Sequence, residues 1–249
     1  MERNVRYPIE AFGLAMVLFS TGMKEAMLAG VAVVFGHVLM NVLADNTGKS
    51  MKLVCAAVSG ILTAVAIVLF GLFAGVEMTI WQKAAAVVIG ILIVKHGMDA
   101  EGEADFNDIL LADALSYGAM VLVAIIREYI ASGTVFTMML KKNTLMSGEL
   151  GRAMIALAVG GIALGLVNRI LDSGCAKDAA LWVCIPVIIL EAPYVAEKTV
   201  SVIVGMILVL AVYLASRTLL KFSDNKEEME GVPVEMVLLG LIYLVAAIV

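Results

Sequence analysis

Long apolar runs, divided by short polar or charged segments, make up most of this chain. The run Leu53–Val76 contains no charged residue at all. Apolar runs of about 18 or more residues are typical of transmembrane helices. Because about nine apolar runs, several of them near this length, follow one another, we predict an all-α, polytopic transmembrane helix bundle of about eight to ten spans. The runs are Pro8–Met23, Ala26–Val42, Leu53–Val76, Ile80–Val94, Ile109–Ile126, Ala153–Val167, Ala179–Leu190, Thr199–Ala215 and Val232–Val249.

The first, fourth and seventh runs are shorter than the ~20 residues that a straight helix needs to cross a bilayer. Short segments in matching places of two halves can mark broken helices within an inverted repeat. We therefore expect one integral membrane domain, 1–249, with candidate halves 1–145 and 146–249. The alternative is that the run boundaries are misplaced by a few residues.

Composition agrees with the pattern. Hydrophobic residues make up 62% of the chain and charged residues 16%, whereas a soluble domain has about 25% charged residues. The three cysteines have no CxxC spacing, so they specify neither a disulfide framework nor a zinc site. The composition predicts a lipid bilayer as the surroundings and no nucleic-acid partner.

The charged N-terminal segment is not expected to be a removable signal, because apolar spans continue along the whole chain and no small-residue cleavage site is visible. With nine spans, more Lys and Arg residues fall on the N-terminal face than on the other. The positive-inside rule then predicts a cytoplasmic N-terminus in a multi-pass protein of the cell membrane, which we expect to be a bacterial inner membrane.

Glu10 and His37 are ionisable residues inside predicted spans. Charged groups in hydrocarbon are costly and mark candidate functional sites. For Glu10 the alternative is an interfacial position beside Arg6. For His37 the alternative is a hydrogen-bonded packing residue.

Other charged residues lie near span ends. Glu191 precedes Pro193, and a proline there ends or kinks the helix, so Glu191 is a candidate for a polar cavity. Arg217 is also a candidate. Lys95, Arg127 and Lys198 can instead extend to the headgroups.

The segment Ile126–Phe136, IREYIASGTVF, resembles the IRE-x-x-x-SGT-x-F segment of the paired six-helix membrane subunits of Rnf and Nqr complexes. These complexes are ion-translocating oxidoreductases. The upstream stretch IGILIVKHGMDAEGEADF, the first span, WVCIPVIILEAPYVAEK and GVPVEMVLLGLIYLVAAI are similar to other family helices. In this segment Arg127 and Glu128 are expected at a membrane boundary, and Ser132-Gly133-Thr134 is expected to close the helix.

The resemblance implies a scaffold or ion-pathway subunit of a redox-linked assembly, with other membrane and redox subunits as partners. It is at most a non-catalytic subunit of an oxidoreductase. Two functions of other kinds stay open: a stand-alone secondary transporter with inverted repeats, and a structural membrane subunit without transport. No catalytic constellation and no metal site is visible.

In the family, cysteines of two partner subunits hold an iron–sulfur cluster. The matching positions here are His96, Ala192 and one near Ser20 or Thr21, none of which is cysteine. Such clusters need sets of thiolates, so we predict that the family cluster is absent and that no cofactor is bound.

The positions before these sites are Lys95 and Glu191. If the halves are inverted repeats, the former cluster site is expected to be a polar contact between Lys95-His96 and Glu191. The alternative places Lys95 at one face and Glu191 at the other. Candidate ion-pathway or polar-contact residues are therefore Glu10, His37, Lys95, His96, Arg127, Glu128 and Glu191.

Overall fold

The protein is an all-α bundle, as the apolar runs predict. The computed structural model describes residues 9–46, 51–99, 106–136, 138–139, 153–171, 179–191, 199–220 and 231–248. Within these ranges lie nine helices and one two-stranded ribbon. The helices are α1 Ile9–Phe19, α2 Met23–Asn46, α3 Lys52–Ala74, α4 Ile80–Asp99, α5 Phe106–Ser132, α6 Ala153–Leu171, α7 Ala179–Leu190, α8 Thr199–Leu220 and α9 Val232–Ile248; the strands are β1 Thr134–Val135 and β2 Met138–Met139.

Five of these helices, α2, α3, α5, α6 and α8, are long and apolar enough to cross a membrane. The helices α1, α7 and most of α9 form a shorter apolar class. The chain is therefore a membrane helix bundle. The short first and seventh spans are confirmed as helices of 11 and 12 residues. The short fourth span is wrong, because α4 continues through Lys95 to Asp99 and has 20 residues.

Helix α1 lies at the centre. All eleven of its residues are buried, and it packs against α2, α4, α5, α6, α7 and α9. Other helices therefore cover every face of α1. By contrast, α3 and α8 leave much of their surface exposed, with apolar side chains such as Leu69, Phe73 and Ile207 on it. That surface suits contact with lipid tails.

Two basic side chains show how the short helices α1 and α7 run relative to each other. Lys95 of α4 contacts Glu10 at the start of α1, and its ammonium lies over the ring of Trp182 near the start of α7. Arg127 of α5 binds the last turn of α1 and interacts electrostatically with Glu191 just after α7. Because the starts share one partner and the ends share another, α1 and α7 run in the same direction.

Helix α4 runs antiparallel to α1. Lys95 near its end contacts the start of α1, and Gln82 near its start donates to the carbonyl of Leu18 at 3.5 Å. Helix α4 is thus an antiparallel neighbour of α1 within the same candidate half. The short helices α1 and α7, one from each candidate half, are parallel instead.

Glycines let two helix pairs approach closely. A Cβ at Gly90 of α4 would lie 2.6 Å from the Cα of Gly60 on α3. A Cβ at Gly161 of α6 would lie 2.6 Å from the carbonyl oxygen of Pro233 on α9. Close backbone approach at small residues is the usual packing mode of membrane helices.

Candidate functional site

A hydrogen-bonded ionisable pair is buried between α2 and α5. The Nδ1 atom of His37 lies 2.8 Å from Oδ1 of Asp113, and the two side chains are 6% and 1% exposed. Two further polar atoms of this pair, Nε2 of His37 and Oδ2 of Asp113, are buried and make no hydrogen bond within the described residues, and the same holds for Oγ of Ser116, three residues further along α5. Unsatisfied polar atoms cost several kcal/mol, by order of magnitude, in an apolar interior. We define His37, Asp113 and Ser116 as the histidine site.

The packing of α2 against α5 creates this site. Gly30 of α2 has no side chain, so the ring of Tyr117 on α5 lies directly against its Cα. The Tyr117 hydroxyl donates to the carbonyl of Met27 at 3.4 Å. Ser116 lies three residues after Asp113, and residues at this spacing share one helix face. From the other side, the ring of Phe12 on α1 lies 5.9 Å from the imidazole.

A charged pair lies at the start of α1. Glu10 is 4% exposed, and its Oε1 lies 3.9 Å from Nζ of Lys95. The Lys95 side chain is 34% exposed, so it links a buried carboxylate to the exterior of the bundle. Glu10 also lies in the first turn of α1, where a negative charge complements the helix dipole.

At the other end of α1, the Arg127-Glu128 pair of α5 holds the corner between α1 and α2. The guanidinium of Arg127 donates from Nη1 to the carbonyl of Val17 at 2.9 Å and to the hydroxyl of Ser20 at 2.7 Å. Oε2 of Glu128 accepts from the backbone N–H of Met23, the first residue of α2, at 2.9 Å. A cation thus satisfies the carbonyl end of one helix and an anion the N–H end of the next.

The predicted closing residues do end α5. The helix stops at Ser132, and Gly133 adopts a left-handed backbone with φ 68°. Its N–H donates to the carbonyl of Tyr129 at 2.9 Å, which is the cap that glycine favours. The Arg127 side chain is only 1% exposed. The resembling segment Ile126–Phe136 is therefore a helix end that also binds the α1–α2 corner.

A second buried polar cluster joins α8 to α9. The hydroxyl of Tyr213 donates to Oε2 of Glu235, and Nε of Arg217 donates to Oε1 of the same carboxylate at 3.0 Å. The thiol of Cys184 on α7 also interacts electrostatically with this cluster. Both Glu235 oxygens accept hydrogen bonds, so we interpret this cluster as a structural contact between α8 and α9.

Six of the seven candidate residues fall into three places. Glu10 and Lys95 meet at the start of α1, His37 joins the histidine site, and Arg127, Glu128 and Glu191 gather at the ends of α1 and α7. The helix α4 includes His96, but its side chain lies outside the described residues, as does Ala192. The resemblance puts a family cysteine position near Ser20 or Thr21, and Arg127 binds Ser20 here.

The proposed contact between Lys95-His96 and Glu191 does not fit this arrangement. Lys95 lies at the start of α7, over Trp182, whereas Glu191 follows its last residue. Nine residues of helix separate these positions by roughly 13 Å. The structure therefore favours the alternative, with Lys95 and Glu191 at opposite ends. The physical reason is that each residue interacts with another opposite charge, Lys95 with Glu10 and Glu191 with Arg127.

Sequence reasoning missed three members of these clusters: Asp113, Ser116 and Glu235. Asp113 lies in the predicted fifth span and Glu235 in the ninth. The rule that nominated Glu10 and His37 applies equally to both carboxylates, so the signal was present. Ser116 carries no such signal, because a single serine in an apolar helix is ordinary.

The chemistry available to the histidine site is proton or cation binding. A carboxylate oxygen, a hydroxyl and an imidazole nitrogen are buried there without a partner among the described residues. No group of three or more His, Cys, Asp or Glu side chains that could hold a metal ion is found in the described ranges. Comparison with protein-family models, with curated proteins and with solved structures finds no match for this chain.

Proposed function

We propose that this chain is an ion-pathway protein of the cell membrane, and that the histidine site binds the ion during its transfer. The observation that carries the proposal is the buried His37–Asp113 pair between two helices long enough to span a bilayer. Ionisable side chains inside membrane helices are expensive and occur mainly on ion or proton routes. A purely structural pair would have its remaining polar atoms satisfied.

The surroundings of the site support an approach from one face. The pair Glu10–Lys95 lies at the start of α1, two residues before Phe12, whose ring contacts His37. Towards the other face, the buried stripe of α5 continues from Ser116 through Met120, Val123 and Ala124 before it reaches Arg127. Ions would enter at the N-terminal face, which the Lys and Arg distribution assigns to the cytoplasm, and would meet an apolar barrier beyond the site.

The resemblance of Ile126–Phe136 to Rnf and Nqr subunits supports a role within a redox-linked, ion-translocating assembly. A stand-alone secondary transporter is the second candidate, and the helix break between α1 and α2 favours it, since such breaks line transporter sites. Purification of the native chain in mild detergent, followed by mass spectrometry, discriminates between them. Stoichiometric flavin or iron–sulfur subunits would identify the assembly, and the chain alone would identify the transporter.

The same preparation, with any chains that co-purify, tests the ion pathway. Reconstituted into liposomes under an imposed membrane potential, it is expected to move protons, Na⁺ or K⁺ faster than protein-free liposomes do. The variant Asp113→Asn keeps the shape of the side chain but removes its charge, so we expect flux to fall to the protein-free level. Interior pH- and cation-sensitive dyes supply the measurement.

The matched control is Ser59→Ala. Ser59 is also buried, and its hydroxyl donates to the carbonyl of Gly90 at 3.1 Å between α3 and α4. Flux should survive this change, because Ser59 lies on no path that includes the histidine site. Equal flux from the native protein and Asp113→Asn would refute the proposal, as would the absence of any flux above protein-free liposomes.

A further inference from the structure

The orientation of the His37 imidazole decides which ring nitrogen is available to accept a proton. An ionised carboxylate only accepts hydrogen bonds, so the ring nitrogen that faces Asp113 must be the one that carries the proton. That nitrogen is Nδ1, 2.8 Å from Oδ1. In a neutral imidazole the other nitrogen, Nε2, then holds a lone pair. Nε2 is buried and makes no hydrogen bond within the described chain.

The histidine site lacks the ligands that a metal cation needs. Hard cations are held by several oxygen atoms, from carboxylates, carbonyls or water. The unpartnered oxygens here are Oδ2 of Asp113 and Oγ of Ser116. Both α2 and α5 are continuous helices through this region, so their carbonyls accept intrahelical hydrogen bonds. An imidazole nitrogen, two oxygens and no free carbonyl suit a proton better than Na⁺ or K⁺.

The neighbouring titratable groups also suit a site whose charge changes by one. The helices packed against α2 are α1, α3, α4 and α5. Around this end of the bundle their described side chains contribute six such groups, of which one is cationic. They are Glu10 of α1, Cys55 of α3, Lys95 of α4, and Asp108, Asp113 and Tyr117 of α5. Glu10 is already compensated by Lys95, so Asp113 is the carboxylate in contact with the imidazole.

From this geometry we infer that the ion is the proton and that Nε2 of His37 is the atom that carries it. This inference rests on the proposed ion pathway and specifies its ion. An incoming proton forms an N–H bond with the Nε2 lone pair, which converts the imidazole into an imidazolium paired with the Asp113 carboxylate. Release of the same proton restores the lone pair. No electron changes hands, and no other bond is made or broken.

The chain contains only two histidines, which makes a direct spectroscopic test practical. The full-length variant His96→Gln, labelled with ¹⁵N-histidine and placed in lipid bilayers, reports on His37 alone. At alkaline pH we expect solid-state NMR to show a neutral ring with the proton on Nδ1. At acidic pH both nitrogens should carry protons. If His96→Gln does not fold, the native chain is compared with His37→Gln to assign the signals.

The variant Asp113→Asn supplies the second part of the NMR test. Without the carboxylate, the preference for the proton on Nδ1 should be lost, because an amide can either donate to or accept from the ring nitrogen that faces it. A neutral ring with its proton on Nε2, or a ring that never takes a second proton, would overturn the inference. So would an unchanged spectrum in Asp113→Asn.

Flux measurements separate this inference from the broader proposal. Proton movement in buffers free of Na⁺ and K⁺, abolished by His37→Gln, is the expected result. Cation movement without proton movement would support the ion pathway but would contradict the inference that its ion is the proton. No movement of any ion would remove the ion pathway itself, whatever the NMR spectra show.

Discussion

Replacement of Arg127 by methionine is expected to destabilise the protein by about 3–5 kcal/mol, because it leaves buried polar groups uncompensated. The guanidinium is 1% exposed and donates to the Val17 carbonyl and the Ser20 hydroxyl. It also faces the charge of Glu191. Methionine fills a similar volume but donates nothing. Reversible unfolding in mixed micelles, followed by tryptophan fluorescence, measures the loss.

The matched control is Arg169→Met. Arg169 lies in the last turn of α6 and its side chain is exposed, so its loss should cost at most about 0.5 kcal/mol. Arg127→Lys should fall between the two, since an ammonium keeps the charge but lacks the planar fork that reaches two acceptors. If Arg127→Met and Arg169→Met unfold alike, Arg127 does not hold the α1–α2 corner.

The second large effect concerns Gly90. The change Gly90→Ala is expected to cost about 2–3 kcal/mol by overpacking. The new Cβ would lie 2.6 Å from both the Gly60 Cα and the Ser59 carbonyl oxygen. Both are backbone atoms, so α3 and α4 must move apart. That movement also strains the hydrogen bond from Ser59 to the Gly90 carbonyl.

The same substitution at Gly118 is the control. A Cβ there meets nothing within 4 Å, and alanine favours a helix over glycine by up to about 1 kcal/mol. Thermal unfolding in detergent should therefore show a loss at Gly90 and no loss, or a gain, at Gly118. Equal midpoints for the two variants would contradict the close approach of α3 and α4.

Most of the helices could be predicted from the sequence, because uninterrupted apolar runs leave few alternatives in a membrane. The ends of the helices are harder to predict. The polar residues Lys95 and His96 predict that the fourth span ends at Val94, yet the helix continues, because Lys95 lies beside Glu10 and Trp182. A charge within a helix can be stabilised by a neighbouring helix, and sequence alone does not supply the neighbour.

The candidate site is also only partly predictable from the sequence. Glu10 and His37 could be nominated because each is an isolated ionisable residue in an apolar run. Their partners required the packing: His37 and Asp113 are 76 residues apart in sequence. The roles of Arg127 and Glu128 also depended on knowing that α1 ends in a buried corner. That corner is formed by a contact between residues more than 100 positions apart.

The burial of α1 has a consequence for biosynthesis. Its eleven residues extend roughly 16 Å, about half the hydrocarbon thickness of a bilayer. The helices α4 to α7 and α9, which surround it together with α2, are all made later, and the Arg127 that binds its last turn is synthesised more than 100 residues after Val17. While the ribosome is still at work, α1 has neither the length to hold a transmembrane position alone nor the neighbours to bury it. Among the described helices, α1 therefore reaches its final place late, once α5 and its neighbours have been inserted.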